Sequence, residues 1–362
     1  MNSTQKHKPN FMKIVLKTIF FLIFIISCKE ERYKNEISDF RKELRPSLES
    51  LSNEESLPTN DTVARNFLEE NATKDELIKL MDSKNPLLRI IAYKSIVNRQ
   101  EPEYFDLLLG HLSDTARVNF WVFEDELQYK QASDLMIRIA HFQNGLSPIQ
   151  KKYLVEKVLL EHPYLNISTW MIQDINPDEK YYNLIKSRAQ TKREFCRDQL
   201  SACYALSKFK KNVDVDLLYK IFDENLKNFE CIKLIFRSIE TFPNEKFYSL
   251  LERYFEMKIK GKLSSKENIN DEVLYFSRAV ASYKNQNAVS ILKYIERNNT
   301  YINHPYWPPA NKKYVYKAML INYDPVYDDL IQQLQKEFDK EELDRIGYLR
   351  RDLIEPNEKL EW

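Results

Sequence analysis

One apolar stripe, drawn three times at nearly the same interval, governs what this chain can fold into. Phe247, Leu250, Leu251 and Tyr254 stand at i, i+3, i+4 and i+7; Ala288, Ile291, Leu292 and Ile295 repeat the spacing 41 residues on, and Tyr327, Leu330, Ile331 and Leu334 repeat it 39 residues later. Such spacing lines one face of an α-helix. A further stripe, Ile232, Ile235, Phe236 and Ile239, supplies the first helix of one helix pair. An apolar residue followed by a turn divides each pair, at Val97, Phe142, Ile175, Phe209, Phe242, Tyr283 and Tyr323, with intervals of 45, 33, 34, 33, 41 and 40 residues. Periods of this size mark a helical array in which each pair buries its stripe only against its neighbours. Asn85-Pro86, Ser147-Pro148, Asn176-Pro177 and Asp324-Pro325 each set a capping side chain before a proline at the first helical position, where the missing N–H costs nothing.

Residues 82–114, "DSKNPLLRIIAYKSIVNRQEPEYFDLLLGHLSD", resemble a HEAT repeat. Asn85-Pro86 opens the first helix, Arg89 and Ala92 follow, and the stripe of residues 107–109 belongs to the second. The resemblance implies that Arg89 orders a neighbouring turn, that Ala92 lets helices pack closely, and that second helices line a concave face holding a partner. The expected fold is all-α: a right-handed α-solenoid of HEAT-like helix pairs over residues 61–362. It is closed by a cap helix within residues 340–353, where Leu343, Ile346, Leu349 and Leu353 keep helical spacing. Tetratricopeptide repeats would suit the intervals of 33 and 34 but not those of 40 and 41, and their Trp, Leu-Gly and Tyr pattern is missing.

The other end of the chain carries an address. Residues 20–31, "FFLIFIISCKEE", follow Lys13 and Lys17, and residues 18–27 hold no charge. A basic stretch followed by a short apolar run is an export signal, and this run is shorter than the roughly 20 apolar residues that span a bilayer. Ile25, Ile26, Ser27 and Cys28 resemble the lipobox of bacterial lipoproteins. That implies acylation of Cys28 and removal of residues 1–27, and two or more acyl chains hold a protein stably on a membrane. Lys29, Glu30 and Glu31 resemble the surface-export signal of Bacteroidetes lipoproteins, which implies exposure on the outer face of the outer membrane. Residues 28–60 are expected to form the anchor and a flexible tether holding one helix, over residues 37–51. Translation from Met12 would leave a complete signal, as would translation from Met1. Asp61-Thr62-Val63 and Asp114-Thr115-Ala116 resemble Bacteroidetes O-glycosylation acceptors.

Loss of residues 1–27 leaves 51 basic against 54 acidic side chains, so no cationic excess is present to neutralise phosphates and nucleic acid is not an expected partner. Four glycines, Gly110, Gly145, Gly261 and Gly347, stand far apart, which excludes the clustered glycines of a phosphate-cradling loop. His111, His141, His162 and His304 form no metal-binding or nucleophile-activating spacing, and no G-x-S-x-G occurs. No cofactor, metal or catalytic residue is expected; a hydrolase would need two acids converging from different repeats. Beyond Cys28, Cys196, Cys203 and Cys231 read as small buried residues, with a bridge to Cys231 left open.

Two aromatic segments extend connections between pairs: residues 119–129, "NFWVFEDELQY", and residues 301–316, "YINHPYWPPANKKYVY". Trp121, Tyr306 and Trp307 are the candidate contacts for a protein or peptide partner, because Trp and Tyr give large contact area at low entropic cost. Folded back over neighbouring helices, the same rings would plug a gap in the array. If exposed, they would also suit a carbohydrate or small molecule taken up at the surface.

Overall fold

A computed structural model describes residues 36–123, 126–141, 146–192, 195–228, 231–261, 272–299 and 309–348. Cys28, Lys29, Glu30, Glu31, Phe142, His304, Tyr306 and Trp307 lie outside the described residues. The chain is predominantly helical and divides into two compact units, one holding residues 1–154 and 358–362, the other residues 155–357.

In the first unit the helices are α1 (Arg45–Ser52), α2 (Thr62–Asn71), α3 (Lys74–Met81), α4 (Pro86–Asn98), α5 (Tyr104–Gly110) and α6 (Ala132–Ile139); α7 (Pro148–Glu161) begins here and ends in the second unit. Local chemistry sets the starts: Asp61 caps α2, Thr73 and Glu76 form a reciprocal capping box on α3, and Asn85 accepts from the Leu87 N–H ahead of α4. Helix α4 is buried around its whole circumference, as an all-round apolar helix must be. Arg89 on α4 donates to Asp114 at 2.7 and 2.9 Å and to the Ser83 carbonyl at 2.6 Å, which pins the turn before its own helix. Ala92 is fully buried.

Two expectations change in this unit. Ile37, Phe40, Leu44, Leu48, Leu51 and Leu57 are buried, so the segment read as a tether is packed from Ile37 onward, and its helix starts at Arg45. The physical reason is the apolar spacing within the segment, which buries a stripe against α2 and α4. The second change is a small sheet inside an otherwise helical fold: β1 (Ser56–Leu57) runs parallel to β2 (Arg117–Phe123), which pairs antiparallel with β3 (Glu126–Gln131). Val118 and Phe120 alternate inward, and aromatic residues favour a pleated, half-buried strand over a loop.

The second unit holds the rest of α7, then α8 (Ser168–Met171), α9 (Glu179–Gln190), α10 (Cys196–Ser207), α11 (Val215–Asn225), α12 (Ile232–Thr241), α13 (Glu245–Tyr254), α14 (Glu272–Ala281), α15 (Gln286–Arg297), α16 (Asn311–Ile321), α17 (Asp328–Glu337) and α18 (Lys340–Tyr348). Ile175, Phe209, Phe242, Tyr283 and Tyr323 sit between the helices of successive pairs, as their spacing requires. The apolar stripes of α12, α13, α15 and α17 join one continuous core, and Ile346 of α18 is buried against it. Asp178, not Asn176, caps α9; Pro177 therefore precedes the cap. With glycine scarce, Lys210 and Lys284 take the left-handed conformation at φ 52 in two of the turns.

First helices form the tight layer: α10 packs on α12, α12 on α14, and α14 on α16. Second helices meet less closely and are joined by ion pairs, in four of which the cation belongs to the later pair: Lys180 with Glu156, Lys211 with Glu179, Lys246 with Asp216, Arg253 with Asp223. These are solvated, worth about 0–1 kcal/mol each. A disulfide between Cys196, at the start of α10, and Cys231, at the N-cap of α12, joins consecutive first helices with 6.2 Å between Cα atoms. Cys203 is a buried free thiol whose pKa burial pushes up.

Candidate functional site

The β2–β3 ribbon presents the described surface best suited to binding. Its inward face carries Val118 and Phe120; its outward face carries Trp121 (38% exposed), Leu127 (43%) and Tyr129 (68%), so three large side chains stand in water together. Register makes them neighbours: Trp121 faces Leu127 and Asn119 faces Tyr129. The Ala132 N–H donates to the Ala116 carbonyl at 2.9 Å, which fixes Val118–Lys130 and Phe120–Gln128 as the hydrogen-bonded pairs. Trp121–Leu127 and Asn119–Tyr129 are then the other kind, in which side chains approach most closely, about 4.5 Å between Cα atoms.

Two bonds hold the platform still. Trp121 Nε1 donates to Ser56 Oγ at 3.0 Å, and Asn119 Nδ2 donates to the Glu55 carbonyl at 3.1 Å, so the start of β1 and the residue just before it fix the orientation of both side chains. An indole fixed in place loses little entropy when a ligand covers it. Of the three expected contacts, Trp121 is on this face; Tyr129 and Leu127 join it through the cross-strand register, for which no local sequence pattern was a signal.

The first-helix layer of the second unit carries a different kind of cluster. Gln173 donates to Ser201 at 2.9 Å; Arg237 donates to Gln173 at 3.2 Å and to the Tyr204 hydroxyl at 3.1 Å, with its guanidinium 4.2 Å from the Tyr204 ring centre. Lys208 donates to the carbonyls of Gln173 and Ile175, the latter at 3.2 Å. Because Arg237 reaches back 64 residues to Gln173, side chains two pairs apart meet on this side. Asn322 does the same toward Glu240, which also pairs with Arg278 at 2.9 Å. These groups are bound to one another, so the cluster serves as a clamp between helices.

Perturbed ionisable groups are structural in the same sense. Asp214 is buried; it accepts from the Tyr182 hydroxyl at 2.9 Å and pairs with Lys186 at 2.7 Å, and that contact raises the Lys186 pKa. Burial lowers Lys94 to about 8, with the Arg65 charge acting in the same direction. Among the described residues no group of three or more His, Cys, Asp or Glu side chains could hold a metal ion, and no helix is long and apolar enough to cross a membrane. Comparison with family models, with curated proteins and with solved structures gives no match.

Proposed function

We propose that this chain is a lipid-anchored scaffold of the bacterial cell envelope that recognises a protein or peptide partner on a helical-repeat surface. Acylated Cys28 holds it on the outer membrane, with Lys29, Glu30 and Glu31 directing it to the cell surface. The helix pairs are read as a HEAT-like α-solenoid, and in the second unit the first helices are crowded enough for Arg237 to reach Gln173 and Asn322 to reach Glu240. The Cys196–Cys231 bridge suits an oxidising compartment outside the cytoplasm. The observation that carries recognition is the immobilised, exposed row of Trp121, Leu127 and Tyr129, aromatic and apolar in the way of binding hot spots.

The test is crosslinking on intact cells followed by affinity purification and mass spectrometry, with wild type, Cys28→Ala and a Trp121→Ala/Tyr129→Ala variant. One protein enriched with wild type and lost from both variants is the expected outcome; no enriched protein from any of them defeats the reading. The same rings flanked by Asn119 and Arg117 suit a sugar as a second reading. Glycan-dependent quenching of tryptophan fluorescence that disappears in Trp121→Phe would favour it.

A further inference from the structure

The outer edge of β3 matches itself. Since Val118–Lys130 and Phe120–Gln128 are the hydrogen-bonded pairs of the ribbon, the main-chain groups of Gln128 and Lys130 are spent on β2. Those of Leu127 and Tyr129 therefore point the other way, to the side on which, among the described residues, β3 has no neighbouring strand in the β1-β2-β3 order. An edge of this kind is a template for another strand. We infer that its occupant is the β3 strand of a second copy of this chain, paired antiparallel about a twofold axis through Gln128.

The sequence of the edge carries that choice of partner. Antiparallel pairing centred on Gln128 sets Leu127 opposite Tyr129 of the second copy and Glu126 opposite Lys130 of the second copy, with each match repeated by the twofold. Apolar meets aromatic and acid meets base at every flanking position. Parity agrees as well: Leu127 and Tyr129, whose main-chain groups point outward, become the hydrogen-bonded pairs and exchange four main-chain bonds in all. Glu126 and Lys130 fall in the alternate pairs, where side chains lie closest. A shift of one residue in the centre would set Leu127 or Tyr129 against itself and break the charge match. Tyr129 at 68% and Leu127 at 43% exposure leave the edge open to approach. A twofold interface of identical patches is also the commonest way soluble chains pair. The inference concerns the main-chain edge of the strand: Leu127 and Tyr129 belong both to that edge and to the recognition face, whereas Glu126 and Lys130, which the test changes, lie outside the recognition row.

Sedimentation velocity of the full chain over a concentration series tests it. The wild type is expected to dimerise, Lys130→Glu to weaken self-association by roughly tenfold or more, since two attractive pairs become repulsive, and the exchanged Glu126→Lys/Lys130→Glu double variant to restore it. A misfolded single variant would not be rescued by a second substitution, so rescue separates pairing from damage. Gln128→Cys places two thiols on the axis, about 4.5 Å apart at Cα, within the range a disulfide accepts; oxidation is expected to give a species of doubled mass on a non-reducing gel. A chain monomeric at every concentration, a dimer indifferent to Lys130→Glu, absence of rescue by the exchanged pair, or a Gln128→Cys chain that stays monomeric on oxidation would each overturn the proposal.

Discussion

Removing the Cys196–Cys231 bridge, by Cys231→Ser or by reduction, should cost the second unit a large part of its stability. The cysteines lie 35 residues apart, and a loop of that size restricts the unfolded chain by about 13 cal/mol/K in the chain-entropy treatment, or about 4 kcal/mol at 25 °C. For a unit of roughly 200 residues each kcal/mol moves the midpoint by about 2–4 °C, so thermal unfolding followed by circular dichroism should shift down by about 8–16 °C. The size of the effect comes from the closed loop, so Cys196→Ser, Cys231→Ser and the double variant should agree within about 1 kcal/mol. Reductant should lower the wild type to the same midpoint and leave the variants unmoved. Cys203 offers no competing route, because it is buried and its thiol is held in the neutral form. A wild-type midpoint that reductant moves by less than about 2 °C would refute the reasoning.

Arg41 donates to both oxygens of Glu76, with Thr73 adding main-chain and side-chain bonds, and these hold the Glu76 carboxyl down at about 2. The folded value lies below the unfolded one, so the contribution is complete above about pH 4.5 and lost as pH falls toward 2. Screening at this half-exposed pair limits it to about 1 kcal/mol, and Glu76→Gln should flatten that part of an acid titration of stability. Lys210→Gly and Lys284→Gly should each stabilise the chain by up to about 1 kcal/mol in denaturant melts, because both residues now sit at φ 52. Arg89→Met leaves Asp114 charged and mostly buried without its bidentate partner and should cost about 3 kcal/mol, read as a lower denaturation midpoint of the first unit.

Much of the helical layout was legible because burial follows period. The stripes of α12, α13, α15 and α17 were visible as i, i+3, i+4, i+7 sets, and the turns after Ile175, Phe209, Phe242, Tyr283 and Tyr323 stood where an apolar residue closes one helix. Arg89 was singled out through the resemblance to a HEAT repeat, which implied that it orders a neighbouring turn, and Ser83 and Asp114 are its acceptors. The ribbon was harder. Residues 119–129 hold four aromatic residues, Phe120, Trp121, Phe123 and Tyr129, and Val118 and Phe120 alternate for only a few residues, so a strand and an extended loop look alike until β1 supplies a neighbour. Trp121 was identified by residue type; Tyr129 and Leu127 were not, because their shared face depends on cross-strand register. The Arg237–Tyr204–Gln173 clamp joins groups from three pairs and has no local signature at all. The same holds for the bridge, where Cys196 is seven residues from Cys203 in one helix but meets Cys231 from the next pair.

Recognition through the ribbon is tested most directly by a photoreactive amino acid placed at position 129 on intact cells, with position 216 on the second-helix face as the comparison. Asp216 is exposed and belongs to the solvated ion-pair ladder. One crosslinked protein other than a second copy of this chain from position 129, and none from position 216, is the expected result. Identical products from both positions, or none from position 129 while the chain is folded and anchored, would contradict the proposal that this face binds a partner.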